Sequence, residues 1–232
     1  MQELFALQFD PVFRGHGVDR GDGRAVLLIP GLFGSDAYLE PLHSWLRRVG
    51  YRPVRSTMVV NAGCPERLRT QVETALQRVI DREPRPVAII GHSRGGMLGW
   101  AIASRLQERA SHLILLGSPA PAVVAMVRTS SGPPSMAVGA QPVLQAGQRA
   151  LRLLDPDCTV PACGCSYIDD LRRDLSPATK VLSIRSRDDQ IVPPGASEVR
   201  RGGNAVVGGT HSGLVYNRAV YPLIAEFLAA GG

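Results

Sequence analysis

Short, unbroken apolar runs alternate along the chain with stretches in which apolar residues recur every three or four positions. AVLLIP (25–30), PVAIIG (86–91) and HLILLG (112–117) are runs of the first kind. Closed by Gly or Pro and apolar almost throughout, they predict parallel strands covered on both faces. In the second kind, Leu39, Leu42, Leu46 and Val49 share one face of a helix predicted from about 36 to 49. Leu68, Val72, Ala75, Leu76 and Val79 do the same over 65–82, and a third helix is predicted over 95–108. RPVRSTMVV (52–60) reads as a strand between the first two helices.

The alternation stops after residue 118. Residues 119–176 carry PAPAVV, SSGPPS, helical spacing near 141–154 and the cysteine-rich CTVPACGC. Strand character resumes at KVLSIRS (180–186) and NAVVG (204–208), and a helix is predicted over 217–229. Residues 1–24, which end in the polar GHGVDRGDGR, predict an arm or a loose edge hairpin. Strands alternating with helices imply the α/β class, with a doubly wound, mostly parallel sheet. No repeat or linker divides the 232 residues. The expectation is one domain over 1–232, with 119–176 as a cap inserted between strands.

Bulk properties narrow the class without naming a chemistry. A hydrophobic fraction of 44% and a mean hydropathy of +0.02 fit a globular chain. No apolar run approaches the roughly 18 to 20 residues of a membrane-crossing helix, so stable membrane insertion is not expected. MQELFALQFDPVFRGHG has no basic start, long apolar centre or small-residue cleavage site. The expected location is therefore cytoplasmic, or outside the cell if a leader has been removed. The net charge is +6, yet Lys180 is the sole lysine among 26 cationic residues and the arginines are scattered. Without a basic stripe or interleaved aromatics, no nucleic-acid partner is expected. Of Cys64, Cys158, Cys163 and Cys165, the last three make CTVPACGC, which fits no zinc spacing and has no histidine close by, so buried thiols or a disulfide are expected rather than a metal.

The chemistry-bearing stretch is IIGHSRGGML (89–98). In a parallel sheet, ligands sit beyond the carboxyl ends of strands, and Ser93 falls there between a strand and a helix. Gly91 and Gly95 flank it as G-x-S-x-G, and the strained turn that lifts a nucleophile tolerates no bulk two residues either side. The same turn sets the Arg94 N–H at a helix start, where it can face an oxyanion. A serine hydroxyl needs a base. Among five histidines, His16 lies in the arm, His43 in a helix and His112 at the start of a buried strand. His92 is expected to point away on its sharp turn. His211, in the loop GGTHSG after a late strand, is the candidate base. The acid that orients it would come from SRDDQIVPP, where Asp188 and Asp189 compete. The earlier strand end, GSP (117–119), offers no carboxylate.

Together these residues resemble the serine esterase and lipase branch of the α/β-hydrolase superfamily, over about 25–118 and 178–230. The family loop G-x-x-D-x-x-V-P aligns with SRDDQIVP so that Asp189 is the acid, and Ser186 replaces the usual glycine. The chain order Ser, Asp, His agrees. The family's oxyanion strand end aligns with PGLFG (30–34), where Pro30 replaces a histidine and the Leu32 N–H becomes the second oxyanion donor. GCSYIDDL and GTHSGLVYN are similar to stretches of actinobacterial lipase- and esterase-like hydrolases. The resemblance implies hydrolysis of carboxylic esters through an acyl-enzyme, with a small ester or lipid as partner and no metal or organic cofactor.

Substrate choice is expected in the cap, where Val123, Val124 and Met126 are apolar, and at Phe33 beside the oxyanion residue. Such a lining suits uncharged acyl groups of short to medium length. A thioesterase, acyltransferase or perhydrolase would use the same residues. A non-catalytic binding protein on the same scaffold would be expected to lack one of the three.

Overall fold

The computed structural model describes residues 2–82, 85–121 and 166–230. Among these residues, six strands form one sheet: β1 (Ala25–Ile29), β2 (Arg52–Arg55), β3 (Val87–His92), β4 (Ala110–Leu116), β5 (Lys180–Ser186) and β6 (Gly203–Val207). Their order is β2-β1-β3-β4-β5-β6, and every neighbouring pair is parallel. The continuous apolar runs are covered on both faces, as their composition predicts, and all of β1 and β3 is buried.

Alternate residues of the four central strands, β1, β3, β4 and β5, enter two separate cores. Val26, Leu28, Ile90, Ile114 and Ile184 pack with α1 (Gln2–Phe9), α2 (Glu40–Arg48) and α6 (Val220–Ala229), around Leu7, Trp45 and Tyr221. Leu27, Ile29, Ile89, Leu113 and Val181 pack with α3 (Pro65–Ile80), α4 (Arg94–Leu106) and α5 (Tyr167–Arg172), around Val72, Leu98 and Ile168. The sheet is therefore wound on both sides.

Three boundaries differ from the sequence expectation. The N-terminal arm is a helix, not an edge hairpin: QELFALQF consists largely of helix formers, and Leu7 is fully buried as its anchor. The strand expected over 52–60 ends at Arg55. Asp36 stops it, its carboxylate accepting from Ser56 N–H (3.0 Å), Ser56 Oγ (2.7 Å) and Thr57 N–H (2.9 Å), and Thr57 turns left-handed at φ 62°. The closing helix starts at Val220 rather than 217, because Asn217 is extended (ψ 114°) and its Oδ1 accepts from the Ala219 N–H at 3.0 Å, a local turn that precedes the helix.

Most of the expected cap, 122–165, lies outside the described residues, as do Cys158, Cys163 and Cys165. Cys64 is buried. The return from the cap is fixed by charge. Glu66 accepts from the Ser166 N–H (3.0 Å) and hydroxyl (2.5 Å), and the fully buried Asp170 carboxylate lies 3.4 Å from the Arg69 guanidinium. No helix among the described residues is long and apolar enough to cross a membrane.

Candidate active site

The loops at the carboxyl ends of β1, β3, β5 and β6 meet over the sheet. At the end of β3 the chain turns into α4 through Ser93, whose φ of 51° and ψ of −123° lie in a strained region for a side-chain-bearing residue. The flanking glycines make that turn possible. A Cβ on Gly91 would come within 2.4 Å of the Gly95 carbonyl oxygen, and one on Gly95 within 2.3 Å of the Ile29 carbonyl oxygen.

His211 follows β6. Its Nε2 lies 2.9 Å from Ser93 Oγ and its Nδ1 lies 2.7 Å from Asp189 Oδ2. Asp189, in the loop after β5, accepts two further bonds on Oδ1, from the N–H groups of Ile191 and Val192, both at 2.8 Å. Burial pushes its carboxyl up, but the hydrogen bonds from His211 and Val192 outweigh it and hold the group below the usual carboxylate range. Asp188 faces elsewhere and accepts from the Gly209 N–H at 3.1 Å. Of the two competing acids, geometry thus joins Asp189 to the histidine and Asp188 to the histidine's loop. Ser186, at the usual glycine position, is buried; its hydroxyl donates to the Gly209 carbonyl and accepts from the Asp188 N–H, so it ties the two loops together. A side chain at Gly117 would intrude, since its Cβ would lie 3.3 Å from His211 Nδ1 and 3.4 Å from Asp189 Oδ2.

The loop after β1 presses against the serine: a Cβ on Gly31 would lie 3.3 Å from Ser93 Cβ. A tight turn, Gly34 N–H to Gly31 carbonyl at 2.9 Å, contains Leu32 and Phe33. Phe33 is left-handed at φ 59° and 46% exposed, a conformation costing about 1–3 kcal/mol that the surroundings must enforce. Asn61, fully buried in the β2–α3 loop, supplies that enforcement. Its Nδ2 donates to the Pro30 carbonyl (2.7 Å), its N–H to the Gly34 carbonyl (2.8 Å), and its carbonyl accepts from the Phe33 N–H (3.0 Å). The Arg94 side chain then bonds Asn61 Oδ1 (2.8 Å) and the Gly63 carbonyl (2.6 Å). Pro30, where the family has histidine, is thereby held through its carbonyl alone.

Sequence reasoning missed Asn61, because a lone Asn in VVNAGC carries no motif. It also assigned Arg94 a role only through its N–H. His92 does not point away. It is buried, its Nε2 donates to the His211 carbonyl at 3.0 Å, and its ring packs between those of Tyr38 and His211, with centroids 5.5 and 5.0 Å apart. Burial and the neighbouring His211 push its pKa down to about 4, so it stays neutral at ordinary pH. Val123, Val124 and Met126 lie outside the described residues. Among the described residues, no group of three or more His, Cys, Asp or Glu could hold a metal ion.

Residues 25–138, which include Leu32, Phe33, Ser93 and Arg94 but neither Asp189 nor His211, match the family model for a thioesterase domain. Among solved structures, the chain is similar to a carboxylesterase from the thaumarchaeon Nitrososphaera gargenis, at 16% identity over 91% of this chain and 92% of that one, with a TM-score of 0.57. It is similar also to a monoacylglycerol lipase from Paleococcus ferrophilus (14% identity, 90% and 97% covered, TM-score 0.56). The type II thioesterase BorB of the borrelidin biosynthetic cluster is a third (19% identity, 92% and 94% covered, TM-score 0.55). No curated protein matches the chain at a significant level. With a serine elbow after β3, a parallel sheet in this strand order and these likenesses, the chain has the α/β-hydrolase fold.

Proposed function

We propose that the protein hydrolyses carboxylic esters of uncharged acyl groups, of short to medium chain length, through an acyl-enzyme on Ser93. One observation carries this reading: the unbroken hydrogen-bond line from Ser93 Oγ through both nitrogens of His211 to Asp189, at 2.9 and 2.7 Å. His211 Nε2 takes the hydroxyl proton as Ser93 Oγ attacks the acyl carbonyl, and Asp189 stabilises the imidazolium. The Leu32 and Arg94 N–H groups stabilise the oxyanion. His211 then protonates the leaving group, and water repeats the sequence on the acyl-serine. Phe33, with Val123, Val124 and Met126 of the cap, lines the acyl side in this reading.

A second reading, hydrolysis of thioesters by the same cycle, has its own support in the thioesterase-domain match over 25–138. A thiolate leaves more readily than an alkoxide, so the base and oxyanion donors would serve either substrate.

The test pairs an oxygen ester and a thioester of the same acyl group along a series from short to long chains. A fluorophosphonate should label wild-type protein once, at Ser93. Ser93→Ala should fold and lose at least about 10³-fold in kcat. Labelling that persists in Ser93→Ala would overturn the proposal, and the ratio of the two kcat/KM values chooses between oxygen ester and thioester.

A further inference from the structure

The N-terminal helix reaches the loop that carries His211. Glu3 Oε1 accepts from the Thr210 N–H at 3.1 Å and from the Thr210 hydroxyl at 2.9 Å. Thr210, the residue before His211, in turn accepts from the Gly213 N–H on Oγ1 at 3.0 Å. The approach is close: a Cβ on Gly213 would sit 2.4 Å from Glu3 Oε1, so Glu3 would have to shift to admit one. Leu7, four residues on and so on the same helix face, is fully buried and sets α1 in place.

The loop's other ties come from different directions. Asp188 holds the Gly209 N–H, Ser186 donates to the Gly209 carbonyl, Asn217 Nδ2 donates to the Gly208 carbonyl (2.6 Å), His92 holds the His211 carbonyl and Tyr38 holds the Ser212 carbonyl. Glu3 alone among these contacts engages the Thr210 N–H, the peptide that leads directly into His211.

We propose that Glu3 is a positioning residue for His211: by accepting both Thr210 donors it fixes the loop's entry to the imidazole, and so keeps Nε2 in line with Ser93. This rests on the serine-hydrolase reading. A proton transfer is sensitive to such placement, since displacement of a reacting group by about 1 Å can cost on the order of 10²-fold.

Glu3→Ala removes the acceptor, whereas Glu3→Gln keeps an oxygen at the same position. With the ester substrate, Glu3→Ala should lower kcat about tenfold with KM within about twofold, and Glu3→Gln should restore most of the loss. Val72→Ala, in the opposite core, is the control for general loss of stability. Amide exchange at Thr210 and Gly213 reads the clamp without turnover, and should quicken in Glu3→Ala but not in Glu3→Gln. The inference is overturned if Glu3→Ala keeps wild-type kcat, if Gln fails as badly as Ala, if Val72→Ala lowers kcat equally, or if exchange does not change. Wild-type protein that neither takes the fluorophosphonate nor turns over ester would instead overturn the serine-hydrolase reading, and exchange would still judge the clamp.

Discussion

Asp188 and Asp189 are adjacent, both carboxylates, and differ in what each can do for His211. Asp189 Oδ2 meets Nδ1 at 2.7 Å and is nearly buried, whereas Asp188 Oδ2 meets only the Gly209 N–H. Asp189→Asn should therefore lower kcat by about 10³- to 10⁴-fold, because an amide no longer favours the tautomer that leaves Nε2 free to accept the serine proton. Asp188→Asn keeps an oxygen acceptor and should lower kcat by no more than about threefold. Steady-state kinetics on one ester checks both, and equal losses would contradict the roles drawn here. At this scale the sequence was legible where chemistry demands a residue type. A serine between glycines and a histidine after a late strand can be recognised from spacing. The choice between neighbouring carboxylates needed the family's loop pattern, since composition is the same for both. His92 was misread because a sharp turn says nothing about which way the preceding side chain rotates; only the packed Tyr38 and His211 rings fix it.

The elements divide by whether a local pattern specifies them. β1, β3 and β4 follow from apolar runs that need cover on both faces, and α3 and α4 from helical spacing. The end of β2 depends on Asp36, nearly 20 residues away in sequence, and local patterning could not reveal it. The same is true of the β2–α3 loop, whose one buried Asn shapes the turn containing Leu32. If that turn stabilises an oxyanion, loosening it should affect the transition state more than substrate binding. Asn61→Ala should lower kcat by about 10²-fold with little change in KM. It also leaves the Pro30 carbonyl without its donor, costing about 1–3 kcal/mol of stability. Arg94→Met removes the side-chain support while keeping the Arg94 N–H, and should produce a smaller loss of the same kind. A rise in KM with unchanged kcat, in either variant, would move this loop from charge stabilisation to binding.

Across the whole molecule, two buried histidines make the fold sensitive to acid. Burial, reinforced by His211, lowers His92 to about 4, and burial, reinforced by the Arg24 charge, lowers His112 to about 4. His112 lies at the opposite end of the sheet from Ser93, with Nδ1 accepting from Arg24 at 2.8 Å and Nε2 directed at the Ala230 carbonyl. Both must stay neutral in the fold, whereas in the unfolded chain each protonates near its ordinary value of 6.5. Between about 6.5 and 4 the unfolded chain therefore binds more protons, so stability is complete above that window and falls as pH falls through it. For His92 the slope approaches about 1.4 kcal/mol per pH unit. Urea midpoints between pH 7.5 and 4.5 should show this decline. His112→Gln, which keeps an acceptor toward Arg24 but cannot titrate, should begin less stable at pH 7.5 and decline less steeply. Because His112 is remote from Ser93, its replacement should leave kcat at pH 7.5 near the wild-type value, while the flatter pH profile reports the lost proton uptake. Identical slopes in the two proteins would assign the acid sensitivity to other groups.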